Sequence, residues 1–328
     1  MVFVLSAAAV AAAGVRLARD GDVLAEGTGL GGMWMGAVVL AAATSLPELM
    51  TGVNAVLQGE PDLAGGDVFG ACMANMMILA VADLLVRGPR ILTRVTINQA
   101  LVGALGICMA VTAAIGMQAS TLPTIGPFGI PTLVIGLIYA AGMRLIHVNR
   151  DAPPFMTEAE AADVRFKRTE LQRAVVGLIA SAIVILIAAP KLTQSTAVIA
   201  TQLGMTHGLA GMLFLALTTT LPEASVTFGS VRAGAYSMAV GNLFGSNCFN
   251  LATFVVLDLV HGGAPVLSII DPSLSVAALF ATLLMGLAIV EVLNKSERRV
   301  WILEPGPAFM VLVYLVGLFA VSAAGAGH

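Results

Sequence analysis

Charge is what this 328-residue sequence most lacks. Asp, Glu, Lys and Arg make up 11% of it, against ~25% in an ordinary soluble domain. No polar stretch is long enough to fold as a separate soluble domain. No basic patch is present, so nucleic-acid binding has no support. Three cysteines (Cys72, Cys108, Cys248) sit in apolar runs at spacings that fit neither a zinc site nor a disulfide framework, so they read as packing residues. The four histidines do not cluster in sequence, which gives no transition-metal site. Neither H-E-x-x-H nor G-x-S-x-G occurs, and no cofactor-binding pattern is found, so the chain reads as something other than an enzyme.

Apolar residue is there in excess: 58% of the chain, with a mean hydropathy of +0.95. A soluble surface could not absorb it without large exposed patches; a lipid bilayer can. A span needs ~20 mostly apolar residues. Ten candidates follow, at roughly 2–17, 31–57, 62–86, 96–118, 127–148, 172–190, 206–231, 236–260, 273–293 and 307–325. The first has no basic lead-in and reads as a span rather than a cleaved signal. With the N-terminus outside, alternation places 15 of the 16 Lys and Arg on the cytoplasmic side, Arg16, Arg19, Arg87, Arg90 and Arg94 among them, and only Lys191 outside. Both termini then lie outside, in a plasma membrane of the bacterial inner-membrane type.

Sliding the sequence by 175 residues reveals a duplication. Between 40–75 and 215–250, 13 of 36 positions are identical. Shared Ala or Leu could be composition, but Thr44 and Thr219, Pro47 and Pro222, Glu48 and Glu223, and Asn75 and Asn250 fall at one offset. Asp83 falls on Asp258 as well. Five spans separate the copies, so they face opposite ways across the membrane. Inverted repeats place their substrate site near the midplane. The chain thus divides into an N-terminal half (1–148), a charged cytoplasmic linker (149–173) and a C-terminal half (174–328).

Pro47 and Pro222 lack an N–H and clash with the carbonyl one turn back, which predicts a broken or kinked helix just before each glutamate. Freed carbonyls at membrane depth are tolerated where they line a cavity. Thr44 and Ser45 lie four and three residues before Glu48, on its face; Thr219 and Thr220 repeat the arrangement before Glu223. In the following spans, Asp67, Ala71 and Asn75 form one helical stripe, and Asn242, Ser246 and Asn250 its counterpart. Glycines 66, 70, 241 and 245 would let these helices pack close against the broken ones. Carboxylates, hydroxyls, amides and carbonyls are the hard ligands that Ca²⁺ and Na⁺ accept. A membrane-buried carboxylate costs at least ~2.5–3.5 kcal/mol, which makes Glu48 and Glu223 functional candidates. Protons compete for two close, poorly solvated carboxylates. The bland readings are interhelical hydrogen bonds for Asn75 and Asn250, and backbone satisfaction for the hydroxyls. Asp67 fits an aqueous entry as well as a ligand role. Asp83, four residues before Arg87, suggests a local ion pair, and Asp258 an interfacial group.

These residues resemble the cation/Ca²⁺ exchanger superfamily, the sodium/calcium exchangers and their prokaryotic relatives. Its repeats read G-T-S-L-P-E and then G-N-x-x-G-S-N-x-x-N. Thr219-Thr220-Leu221-Pro222-Glu223 with Gly241-Asn242-Leu243-Phe244-Gly245-Ser246-Asn247-Cys248-Phe249-Asn250 match well, as do Thr44-Ser45-Leu46-Pro47-Glu48 and Asn75. The resemblance implies an all-α integral membrane protein with ten transmembrane helices in two inverted five-helix repeats, whose broken helices surround a midplane cation site. It implies alternating access, with Ca²⁺ on Glu48 and Glu223 and the Thr44 and Thr219 carbonyls, and with hydroxyls and amides serving Na⁺. Asp67 and Ala71 stand where the family has Asn and Ser, and both Asn75 and Asn250 are Asn where some members carry one Asp. The counter-ion is therefore open between Na⁺ and H⁺. A cation channel fits the inverted duplication less well.

Overall fold

The computed structural model describes residues 1–86, 90–119, 122–148, 168–202, 218–294 and 305–325. Helices account for nearly all of them. The elements are α1 (Val2–Thr28), α2 (Gly32–Trp34), a π-helical stretch (Met35–Leu40), α3 (Ala41–Leu57), α4 (Pro61–Leu85), α5 (Ile91–Arg94), α6 (Asn98–Gln118), α7 (Ile130–Val148), α8 (Arg168–Gln202), α9 (Leu221–Ala233), α10 (Tyr236–His261), α11 (Val266–Ile269), α12 (Ser275–Asn294) and α13 (Pro305–Gly325). Thr124–Ile125 and Phe128–Gly129 pair as a short antiparallel hairpin. Nine helical segments among the described residues are long and apolar enough to cross a bilayer. Of the seventh expected span, residues 206–217 lie outside the described set, and the remainder holds α9. The linker's residues 149–167 lie outside it too.

Two span boundaries need correction. The first helix runs to Thr28 rather than ending near residue 17, and the sixth runs from Arg168 to Gln202 rather than 172–190. Charge ends the apolar run without ending the helix. Arg16 and Arg19 thus belong to α1 rather than to a loop. Arg16 pairs with Asp20 one turn on, at 3.4 Å, and Asp20 rests against Gly177 of α8.

The helix expected to break at Pro47 does so differently in the two copies. In the first, α3 continues through Pro47 as helix, and a π stretch lies upstream, where the Ala41 N–H bonds back to the Gly36 carbonyl. In the second, Thr220 interrupts the helix and α9 restarts at Leu221 with Pro222 in its first turn, where a missing N–H costs nothing.

Duplication is visible in the backbone. Gly59 (φ 79°) and Gly234 (φ 81°), 175 residues apart, close the α3–α4 and α9–α10 turns. Both turns carry the same bonds: Gly59 to Val56 and Glu60 to Ala55, Gly234 to Val231 and Ala235 to Ser230. A left-handed residue closing a helix in this way favours glycine. The offset also relates α5 to α11, and both short helices hang from the duplicated aspartates. Asp83 accepts the Leu92 N–H at 3.2 Å, and Asp258 accepts the Val266 N–H at 2.7 Å and the Gly129 N–H at 3.2 Å. Asp258, near the end of α10, is fully buried within the protein and caps both of these N–H groups. Asp83 bonds Arg90 at 3.2 Å, and Arg90 also holds Glu291 of α12. Arg90 is thus one partner of Asp83; the expected partner Arg87 lies outside the described residues.

The repeat-related helices α4 and α10 form the centre and are the most deeply buried spans. Phe69 and Phe244, again 175 apart, are fully buried in the main core. The outer helices turn apolar residues outward instead. Leu137 (69% exposed) on α7, Val176 (67%) on α8 and Phe319 (69%) on α13 would be liabilities in water and are ordinary against lipid. The protein is an all-α, multi-pass membrane protein.

Candidate functional site

The site forms where α3 and α4 of one copy meet α9 and α10 of the other. Close approach is set by glycine. A Cβ on Gly36 would stand 2.3 Å from the Met238 carbonyl oxygen, and one on Gly245 would stand 2.3 Å from that of Ala37. Gly241 is similarly tight against Met33, at 2.8 Å. Helix α10 thus crosses the π stretch backbone against backbone, which small residues permit in membranes. This bears out the close packing expected of glycines 241 and 245. No described residue approaches Gly66 or Gly70; residues 211 and 212, which the repeat would set opposite them, lie outside the described set.

That crossing brings the two copies' polar residues together. The Ser45 hydroxyl donates to Glu223 Oε1 at 3.1 Å, and Thr44 Oγ1 lies 3.4 Å from Ser246 Oγ. Glu48 and Glu223 are both buried, at 5% and 0% exposure, and both lie within electrostatic range of Asp67. Thr219 and Thr220 precede Glu223 at the interruption, where the Thr220 carbonyl accepts the Ala224 N–H at 3.0 Å. Asn75 and Asn250 are fully buried on α4 and α10.

What the site can do is set by its unmatched polar atoms. Buried polar groups find a hydrogen-bond partner in about nine cases of ten. Among the described residues, fifteen buried side-chain nitrogens and oxygens do not. Ten of them belong to Glu48, Glu223, Asp67, Asn75, Asn242, Asn247 and Asn250, so they are concentrated here. Seven of these ten are oxygens, four of them carboxylate. Hard cations bind such oxygens. The donor set therefore fits a cation as cargo: two glutamates supply the charge of one divalent ion, and neutral oxygens fill out the shell.

Symmetry is incomplete. The mirror of the Ser45–Glu223 bond would run from Thr220 to Glu48, yet neither Glu48 oxygen has a hydrogen-bond partner. Ser246 has Ala71 as its counterpart, and Asn242 has Asp67. Asn247 was missed as a separate candidate, though it stands within the matched motif. Its Oδ1 accepts the Asn75 amide at 3.0 Å, and its backbone carbonyl lies 3.8 Å from Cys72 Sγ. Thr227 and Ser230, four and seven residues after Glu223 and fully buried with unpartnered hydroxyls, were also missed. The helical stripe they share with Glu223 was the available signal; their counterparts Gly52 and Ala55 carry no polar group, so the repeat could not flag them.

Comparison with known proteins agrees with this architecture. The chain matches the family described as sodium/calcium exchanger protein over residues 1–135 and 173–323. It is 25% identical over 320 residues to the putative antiporter CaxA of Alkalimonas amylolytica, covering 92% of this chain and 93% of that protein. It is 25% identical over 244 residues to the inner membrane protein YrbG of Escherichia coli (strain K12), covering 74% and 73%. The structure of the sodium-calcium exchanger NCX_Mj superimposes with a TM-score of 0.73 at 18% identity, covering 96% of each chain.

Proposed function

The chain belongs to the sodium/calcium exchanger protein family, and on that premise we propose that it is a secondary antiporter moving Ca²⁺ against Na⁺ by alternating access. Glu48 and Glu223 bind Ca²⁺ together. The Thr44 and Thr219 carbonyls and the amide oxygens of Asn75 and Asn250 complete its shell. The hydroxyls of Ser45, Thr220 and Ser246 serve Na⁺, and Asp67 adds charge at the edge. One observation carries the reading: two buried glutamates from opposite repeats lie within electrostatic range of each other, and most of their oxygens lack a partner among the described residues. A channel would need a continuous open path; the tight crossing of α10 over the π stretch favours a gated site instead.

Counter-ion choice has a second reading. Ala71 lacks the hydroxyl that Ser246 offers, and Asp67 adds a carboxylate with an unpartnered buried oxygen. Both features favour Ca²⁺/H⁺ exchange, in which the carboxylates carry protons back. Flux in vesicles decides. Na⁺-loaded vesicles should take up Ca²⁺ in proportion to the Na⁺ gradient; uptake that ignores Na⁺ and collapses with a protonophore assigns the proton. Glu48→Gln and Glu223→Gln should each lower exchange at least tenfold with folded protein retained. Normal transport by either variant removes the site assignment.

The chain resides in a plasma membrane with both termini outside. Fluorescence of a C-terminal green fluorescent protein fusion checks this: such a fusion stays dark when exported unfolded, and a bright one reverses the orientation.

A further inference from the structure

We propose that Asn247 is a positioning residue that turns the amide oxygen of Asn75 toward the transported cation; this rests on the exchange-site reading above. An asparagine amide is two-ended, with an acceptor oxygen and a donor nitrogen of nearly the same shape. Which end faces a cation decides whether the residue attracts or repels it. The Asn75 Nδ2 donates to Asn247 Oδ1 at 3.0 Å, and Asn75 Oδ1 is left buried without a partner. That bond ties the two amides together, with the Asn75 oxygen and the Asn247 nitrogen as the free ends among the described residues.

The mirror position supplies an internal control. The repeat relates Asn75 to Asn250 and Asn247 to Cys72. Cys72 has no amide, and both polar atoms of Asn250 are buried without partners among the described residues. Asn250 can present either end, whereas Asn75 is held. The two halves of the site thus differ in a way that the matching asparagines conceal: one oxygen is preset and the other adjusts. Asn247 is itself fully buried on the central helix α10, and its carbonyl lies against Cys72. It therefore sits on a scaffold rigid enough to position a neighbour, as functional sites require.

The test is a double-mutant cycle in reconstituted vesicles, reading the KM for Ca²⁺ and maximal flux separately. Asn247→Leu keeps the volume and removes the acceptor; it should raise KM about tenfold and change maximal flux less. Asn247→Asp can accept but cannot donate from an ionised carboxylate, and should restore most of the affinity. In an Asn75→Ala background, Asn247→Leu should have no further effect, because residues acting through one contact are not additive. A KM effect of Asn247→Leu that survives in the Asn75→Ala background overturns the proposal. So does an unchanged KM, or equal loss in the Leu and Asp variants. Glu48→Gln separates the two failures: if it abolishes uptake while Asn247→Leu leaves KM intact, the exchange site stands and only the positioning role falls.

Discussion

Asp67 carries the sharpest question at the scale of single residues. It occupies the place of Asn242 in the other copy, lies near both glutamates, and keeps one buried oxygen unpartnered. Asp67→Asn removes charge while preserving shape. Isothermal titration in detergent should show Ca²⁺ affinity lowered about three- to tenfold, consistent with ~0.7–1.4 kcal/mol of lost attraction across a partly solvated distance; unchanged affinity makes Asp67 a bystander. Ser45 acts oppositely. Its hydroxyl holds Glu223 Oε1, so Ser45→Ala frees that oxygen and leaves a buried carboxylate with one bond fewer, at about 1–3 kcal/mol. The melting temperature of the Ca²⁺-free protein should fall, and added Ca²⁺ should recover most of the loss. Residue identity made most of this legible: a carboxylate within a lipid span is costly enough to announce itself. Asn247 did not, because a neutral amide inside a polar motif looks like every other amide until its partner is known.

Among the secondary-structure elements, the periodicity of the spans was readable and their ends were not. Charged residues toward the end of α1 and at the start of α8 continue the helix beyond the apolar run, and hydropathy cannot register that. Nor could the sequence place the irregularity of the first copy. Proline marks a missing hydrogen bond, but the widened turn lies upstream of it, where the Gly36 contact with α10 leaves no room for a side chain. Gly245→Ala should therefore be far worse than an ordinary Gly-to-Ala change in a helix, which stabilises by ~1 kcal/mol. Thermal melting in detergent should drop by several degrees, while Gly286→Ala on α12, where a Cβ would stand 3.9 Å from Ile107 Cδ1, should be tolerated. Tolerance of both would mean that the crossing is loose. The duplicated aspartates give a second comparison. Asp258→Ala strips two backbone N–H partners from a fully buried position, costing about 2–4 kcal/mol. Its effect should appear as lost stability without a change in ion preference.

At the level of the whole molecule, the offset of 175 residues was worth more than any local motif. It related the glutamates and extends through the Gly59 and Gly234 turns to α5 and α11. It also explains one contact more fully than hydrogen bonding does. Cys72 and Asn247 are the same position in the two copies, and they touch, with Sγ 3.8 Å from the carbonyl oxygen. Equivalent points of two bodies related by a twofold rotation can meet only beside the rotation axis. When the halves of an exchanger trade shapes, distant positions swap surroundings, but points on the axis keep theirs. Under the alternating access proposed above, the Cys72–Asn247 contact should serve as a pivot. The spacing between helices α4 and α10 there should be the same whether the protein opens to one face of the membrane or the other, and rulers placed at Cys72 and Asn247 should measure where the transport cycle stands still.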